Sequence, residues 1–182
     1  MPTLSPSSYD ADFDSAVLGA GLPADVESLI TQAGLVRSDR ALAEPLLLKA
    51  REMAPTHPAT LIALYRFHFY GHRLPEARQV AEESLAIARA ALGADIKVTD
   101  EQARFDAATR FYLFTLKGYA YLSLRLGQID TGRQALAELQ RLDPQDRVGG
   151  GVLTHVLQRA ESSEPEDDVF STPIAPRGWS TP

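Results

Sequence analysis

Apolar and polar positions along the middle of the chain alternate in a helical rhythm, and the rhythm itself recurs with a period of 34 residues. Setting Ala43, Ala77 and Gly132 in equivalent slots puts Leu47, Ala81 and Leu136 four residues further on. The clearest unit runs from Leu61 and Leu64 through Gly71 to Leu74-Pro75-Glu76-Ala77 and reads as a helix, a tight turn and a second helix. Another runs from Leu116 to Ala120, through Gly127-Gln128-Ile129-Asp130, to Leu142-Asp143-Pro144. Three units result, at about residues 24–57, 58–91 and 113–146. Two short helices cannot cover their own apolar stripe, so stacked units must share one continuous core, with small residues wherever paired helices touch. Thr31, Ala43, Ala50, Ala77, Ser84, Ala120 and Gly132 fall at those slots. Ile30, Leu47, Leu61, Leu64, Leu74, Leu116, Tyr119, Ile129 and Leu142 fill the wider ones. Ser38-Asp39, Gly71-His72 and Gly127-Gln128 sit where a first helix must stop, and Pro55 and Pro144 close their units.

Four positions depart from the pattern. Glu27 stands where a unit buries a large apolar side chain. Pro45 falls inside a second helix, which predicts that this helix starts late, with the proline among its first unpaired N–H positions. Tyr65 takes a slot meant for a small residue, so either the helices splay or the ring slides aside; Leu139 replaces another small residue. The middle unit lacks a terminal proline, and its second helix is predicted from about Pro75 to Ala91, stopped by Gly93.

Residues 92–112 form an insertion in which Thr99 or Asp100 can cap a short extra helix or an extension of the next unit's first helix. After Pro144, Val152, Leu153, Val156 and Leu157 make one apolar stripe, predicting a capping helix over 148–160 that closes the stack.

The 34-residue unit, its small-residue slots and its turns resemble the tetratricopeptide repeat (TPR) family, whose unit is a pair of antiparallel helices. The resemblance implies an all-α, TPR-like stack of three helical hairpins with a C-terminal capping helix, acting as a binding scaffold. It also implies a concave face lined by the first helices. Those positions hold Asp25, Ser28, Gln32, Leu35 and Val36 in the first unit, and Ala59, Ile62, Arg66, Phe69 and Tyr70 in the second. In the third they hold Phe114, Lys117, Tyr121, Leu124 and Arg125. The partner groove so marked is Arg66, Phe69, Tyr70, Phe114, Lys117, Tyr121 and Arg125, cations beside aromatics, which suits a protein or peptide with acidic and apolar side chains. Grooves of this family that clamp chaperone C-termini use asparagines, and the chain has none. Small acidic proteins of about three repeats resemble type III secretion chaperones. The runs 57–70 and 110–119 look like small TPR proteins of proteobacterial nitrogen-fixation gene clusters, which implies an accessory role in nitrogenase maturation or assembly.

Composition adds limits. The chain has 182 residues, no cysteine, 45% apolar and 23% charged residues, an ordinary balance for one domain. No apolar run approaches the roughly 20 residues of a membrane span, and the N-terminus has neither a basic nor an apolar leader region, so a cytoplasmic protein that spans no membrane is expected. Fifteen arginines against three lysines fit a GC-rich bacterial genome. The net charge of −6 belongs to the ends: residues 1–22 carry −3 and residues 161–182 carry −4, leaving +1 between them. That central balance offers no basic footprint for nucleic acid. Both ends are rich in Ser, Pro and acids without periodicity and are expected not to fold alone; the sole tryptophan, Trp179, lies in the second, near Phe170 and Ile174.

Candidate chemistry is sparse. His68 and His72, four apart with Glu76 four further on, could present two imidazoles to a metal, giving a small metal-binding protein or enzyme as the rival reading. Gly71 and Pro75 argue that the helix ends between them, and a packed His68 is the expectation. The triple glycine 149–151 lacks the Lys-Ser/Thr of a phosphate loop and reads as a flexible joint. No nucleophile has a neighbouring base, so no catalytic residue, metal or cofactor is assigned, and the chain reads as a non-enzymatic protein-binding module.

Overall fold

Four of the eight described helices begin on a side-chain cap that the sequence supplies. In a computed structural model that describes residues 21–93 and 95–162, all regular elements are helices: α1 Ala24–Leu35, α2 Arg40–Met53, α3 Pro58–Tyr70, α4 Leu74–Leu92, α5 Asp100–Phe105, α6 Ala107–Arg125, α7 Ile129–Leu142 and α8 Val152–Glu161. Asp39 accepts from the Leu42 N–H (3.3 Å) to start α2, and Asp106 accepts from the Thr109 N–H (2.8 Å) to start α6. Thr99 and Gln102 form a reciprocal capping box on α5. His57 caps α3 through Nδ1, with Pro58 at the first helical position, where its missing N–H costs nothing. The acidic ends, apart from residues 21, 22, 161 and 162, lie outside the described residues.

The helices pair as α1/α2, α3/α4 and α6/α7, giving the expected all-α stack of helical hairpins, with α5 against α6 and α8 against α6 and α7. The turns of the second and third hairpins are built alike. Arg73 N–H donates to the His68 carbonyl (2.9 Å) and Gln128 N–H to the Ser123 carbonyl (2.8 Å), the long bond of a Schellman cap. Its left-handed residue is Gly127 in one turn (φ +75°) but His72 in the other (φ +57°), because Gly71 is one position early. A side chain at positive φ stores strain of about 1–3 kcal/mol that the surrounding bonds must hold.

Small residues let the hairpins close. Ala43, Ala50, Ala77 and Ala120 are fully buried, and a Cβ added to Gly132 would meet Leu124 Cδ2 at 2.5 Å. Thr31 does not belong with them. In α1 the buried face is Val26 and Ala33, one residue off the expected register, so Glu27 and Thr31 are exposed and Ile30 is half-buried. The acid is simply turned outward. Pro45 also differs from expectation: α2 starts at Arg40, and the proline lies within it on the exposed face, where the carbonyl of exposed Ala41 that it cannot satisfy meets solvent. The insertion yields both predicted outcomes, a short α5 and an α6 that begins at Ala107 and buries Phe111, Tyr112 and Leu113. α4 runs to Leu92 and stops at Gly93 (φ +89°).

Ion pairs tie hairpin to hairpin. Arg73 bridges Glu44 (2.6 Å) and Glu76 (2.9 Å), joining α2 to the start of α4, and Arg89, the Tyr112 hydroxyl and Glu138 join α4, α6 and α7. Burial and its bond to Glu138 push the Tyr112 hydroxyl up to about 12, so it stays a donor.

The close contacts yield a stability test. Ala77→Leu inserts three carbons at a fully buried contact and should cost about 1–3 kcal/mol, whereas Ala91→Leu on the exposed end of α4 should stay within about 0.5 kcal/mol. Urea or thermal unfolding of both variants separates them; equal losses would contradict the packing.

Candidate functional site

A run of aromatic rings among the described residues starts from one side-chain exchange. Tyr65 sits in a small-residue slot, and its ring reaches over to Gly118 of α6, where a Cβ would lie 2.6 Å from the Tyr65 hydroxyl oxygen and 3.1 Å from Cζ. A missing side chain on one helix accommodates an oversized one on the other. From Tyr65 the rings continue: Phe69 stacks at 5.7 Å between centroids, Tyr121 lies 6.0 Å beyond, and Tyr70 meets Phe69 edge-on at 5.4 Å. Such offset and tilted pairs add about 0.5–1.5 kcal/mol each beyond area burial. Burial, with the neighbouring Tyr70 and Tyr121, holds the Tyr65 hydroxyl well above its ordinary range and therefore protonated.

These rings line a groove of about 470 Å³ between α3 and α6, walled by Val152, Leu153 and Val156 of α8. Six of the residues assigned from the sequence, Arg66, Phe69, Tyr70, Phe114, Lys117 and Tyr121, line it together. Arg125 does not; it is the exposed last residue of α6. Leu124 and Ala59, also expected to face the groove, are buried instead, Leu124 because it fills the space over Gly132. The corresponding face of α1 is polar and exposed, with Gln32 bonded to Ser28 (3.0 Å) and Leu35 standing 81% exposed. Periodicity did not mark Tyr65, Gly118 or the α8 wall. Tyr65 was visible as an oversized residue, but nothing in the sequence pointed to Gly118 as its complement.

Lys117 has a second task. Its Nζ donates to the Val148 carbonyl (2.8 Å), fixing the segment that leads into α8. The triple glycine is therefore no loose joint. The buried Asp143 carboxylate accepts from the Arg147 and Val148 N–H groups (both 2.9 Å), Asp146 accepts from Gly151 (3.0 Å), and Gly150 is bare because Leu139 occupies the space, 2.5 Å from where its Cβ would stand. α8 is held so that Leu153 is buried and Val156 and Leu157 pack against the core, while Val152, expected in the same stripe, is 62% exposed at the groove wall.

The histidine pair is not displayed by one helix face. α3 ends at Tyr70, leaving His72 exposed in the left-handed turn, while His68 is buried with no hydrogen-bond partner for Nδ1 among the described residues. Among those residues no group of three metal-ligating side chains converges, and no helix is long and apolar enough to cross a membrane. A second recess of about 500 Å³, lined by Arg89, Asp95, Glu138 and Arg141 among others, is polar, and Arg89 and Glu138 there are paired with each other.

The structure thus defines a stack of helical hairpins with an aromatic groove on its first-helix face. The chain is 36% identical over 158 residues to a protein of Azotobacter chroococcum mcd 1 described as "Uncharacterized 19.8 kDa protein in nifW 5'region", an alignment covering 80% of this chain and 86% of that protein. It belongs to the same family. No family model matches the chain, and no solved structure matches it.

Burial holds the His68 pKa below its ordinary value, aided by Arg73 and opposed by Glu44 and Glu76. The unfolded chain then binds the extra proton first, so stability that is complete above about pH 6.5 should fall as pH drops below it, before the lowered carboxylates Glu44 and Glu76 begin to protonate. Thermal melts should give a lower Tm at pH 5.5 than at 7.5, with a smaller difference in His68→Leu. An unchanged difference would show that His68 is not the group responsible.

Proposed function

We propose that the chain is a non-enzymatic, cytoplasmic scaffold whose groove holds a segment of a partner protein, and that it serves as an accessory in nitrogen fixation, in the maturation or assembly of nitrogenase. One observation carries the binding reading: a concave aromatic surface of Tyr65, Phe69, Tyr70, Phe114 and Tyr121, with Arg66 and Lys117 among them, between helices that are themselves firmly packed. Soluble proteins seldom expose contiguous apolar patches without a use, and aromatic and arginine side chains supply most binding energy at interfaces. The rings suit apolar side chains of the partner and the cations suit its acids. Among the described residues, the titratable groups lining the groove are phenols, a guanidinium and an ammonium, a set suited to binding.

The cellular setting comes from the relative, which is described by its place in the nifW 5' region. A scaffold of TPR-like hairpins near such genes fits a role in handling another protein of the system. Reading the stack as TPR rests on the 34-residue period and on the paired Schellman turns.

Quantitative capture of partners from the native host tests the groove. Phe69→Ala/Tyr121→Ala should weaken capture at least about tenfold, each lost anchor costing roughly 1 kcal/mol or more, with far-UV circular dichroism unchanged. Full capture by the folded double variant would move the site elsewhere. Arg66→Glu should weaken it more at low salt than at high salt, because the attraction it reverses is screened.

A further inference from the structure

We infer that the groove is occupied, in the free protein, by the chain's own C-terminal segment, residues 163–182, with Phe170 and Trp179 as apolar anchors and the acids at 164–168 beside the groove's cations. The inference rests on the binding reading of the same groove and names its resident occupant. Three observations select this segment. First, the described chain ends at Ser162, directly after α8, the helix whose Val152, Leu153 and Val156 wall the groove. Second, the reach suffices. Phe170 lies eight residues beyond Ser162 and Trp179 seventeen. At up to about 3.3–3.6 Å per residue, the first of these alone spans roughly 27 Å, more than the ~20 Å length of the 13-residue α3.

Third, the chemistry is complementary. Glu164, Glu166, Asp167 and Asp168 precede Val169, Phe170, Ile174 and Trp179, so acids come first and bulky apolar groups follow. The groove holds Arg66 and Lys117 among its rings, Lys117 also being bonded to the Val148 carbonyl. Proline fixes φ, so Pro165, Pro173 and Pro176 lower the ordering cost of binding such a segment. Val152, 62% exposed beside the groove, offers further apolar surface for such a strand. A tethered occupant competes at high effective concentration, so a partner would bind only by displacing it, and its apparent affinity would fall by the fraction of grooves already filled.

Trp179 is the only tryptophan of the chain, so fluorescence excited selectively at tryptophan, beyond the absorption of the tyrosines, reports this segment alone. Docking predicts a blue-shifted emission and acrylamide quenching several-fold weaker than for N-acetyltryptophanamide. Both should revert towards the free values in Phe69→Ala/Tyr121→Ala, and in the milder Arg66→Glu, whose fold is checked by circular dichroism. Shielding must also survive dilution; shielding lost on dilution would place the segment in a second copy and overturn the intramolecular proposal. Quenching equal to the free fluorophore, or shielding indifferent to both groove variants, would overturn it as well. Neither result bears on partner capture, so a groove that binds a partner but not its own segment would leave the proposed function standing.

Discussion

The contact between the Tyr65 ring and the bare backbone of Gly118 is the constraint on which the groove depends. A small residue at position 65 would leave the α3–α6 face without its first ring, and a side chain at position 118 would displace the phenol. Because the exchange holds, Tyr65 is fixed, Phe69 stacks upon it, and Tyr121 and Tyr70 find the edges of Phe69. The rings are therefore positioned in sequence from Tyr65, which the core holds, outward through Phe69. A surface of that kind gives up little rotamer freedom on binding, which is where much of the cost of association otherwise lies.

Charge plays a different part from packing. Most ion pairs here are at least partly exposed, and such pairs contribute about 0–1 kcal/mol, so the stack does not owe its stability to them. What they fix is register. Arg73 between Glu44 and Glu76 sets the first hairpin against the second, while Arg89, Tyr112 and Glu138 set the second against the third. Lys117 does the same for α8 through the Val148 carbonyl. That cation, assigned from the sequence to an incoming partner, already serves the wall of the groove.

Much of this was legible in the sequence, for physical reasons. Burial of one face forces helical spacing, and close helix contact forces small residues, so Ala43, Ala77 and Gly132 declared the hairpins. Alignment of first-helix positions then brought Arg66, Phe69, Tyr70, Phe114, Lys117 and Tyr121 to one surface. What failed were places where a neighbour distant in sequence decides. α1 ends the stack on one side, so its buried face could turn by one residue and leave Glu27 and Thr31 in solvent. Pro45 is tolerated mid-helix only because that side of α2 is exposed, which no local pattern reveals. The glycines at 149–151 looked like a hinge; two aspartate carboxylates and the bulk of Leu139 make them a pinned turn.

α8 gives the groove between α3 and α6 a third wall. A solenoid must cover its terminal apolar face, and a helix docked on the last hairpin does so. Here the turn before α8 is so tightly bonded that the helix is set against α6 as well as α7, bringing Val152, Leu153 and Val156 to the groove edge. The same element thus closes the core and walls the groove on one side. The wall of the groove and the closure of the core are consequently coupled through α8, because the bonds of Asp143 and Lys117 that anchor it serve both.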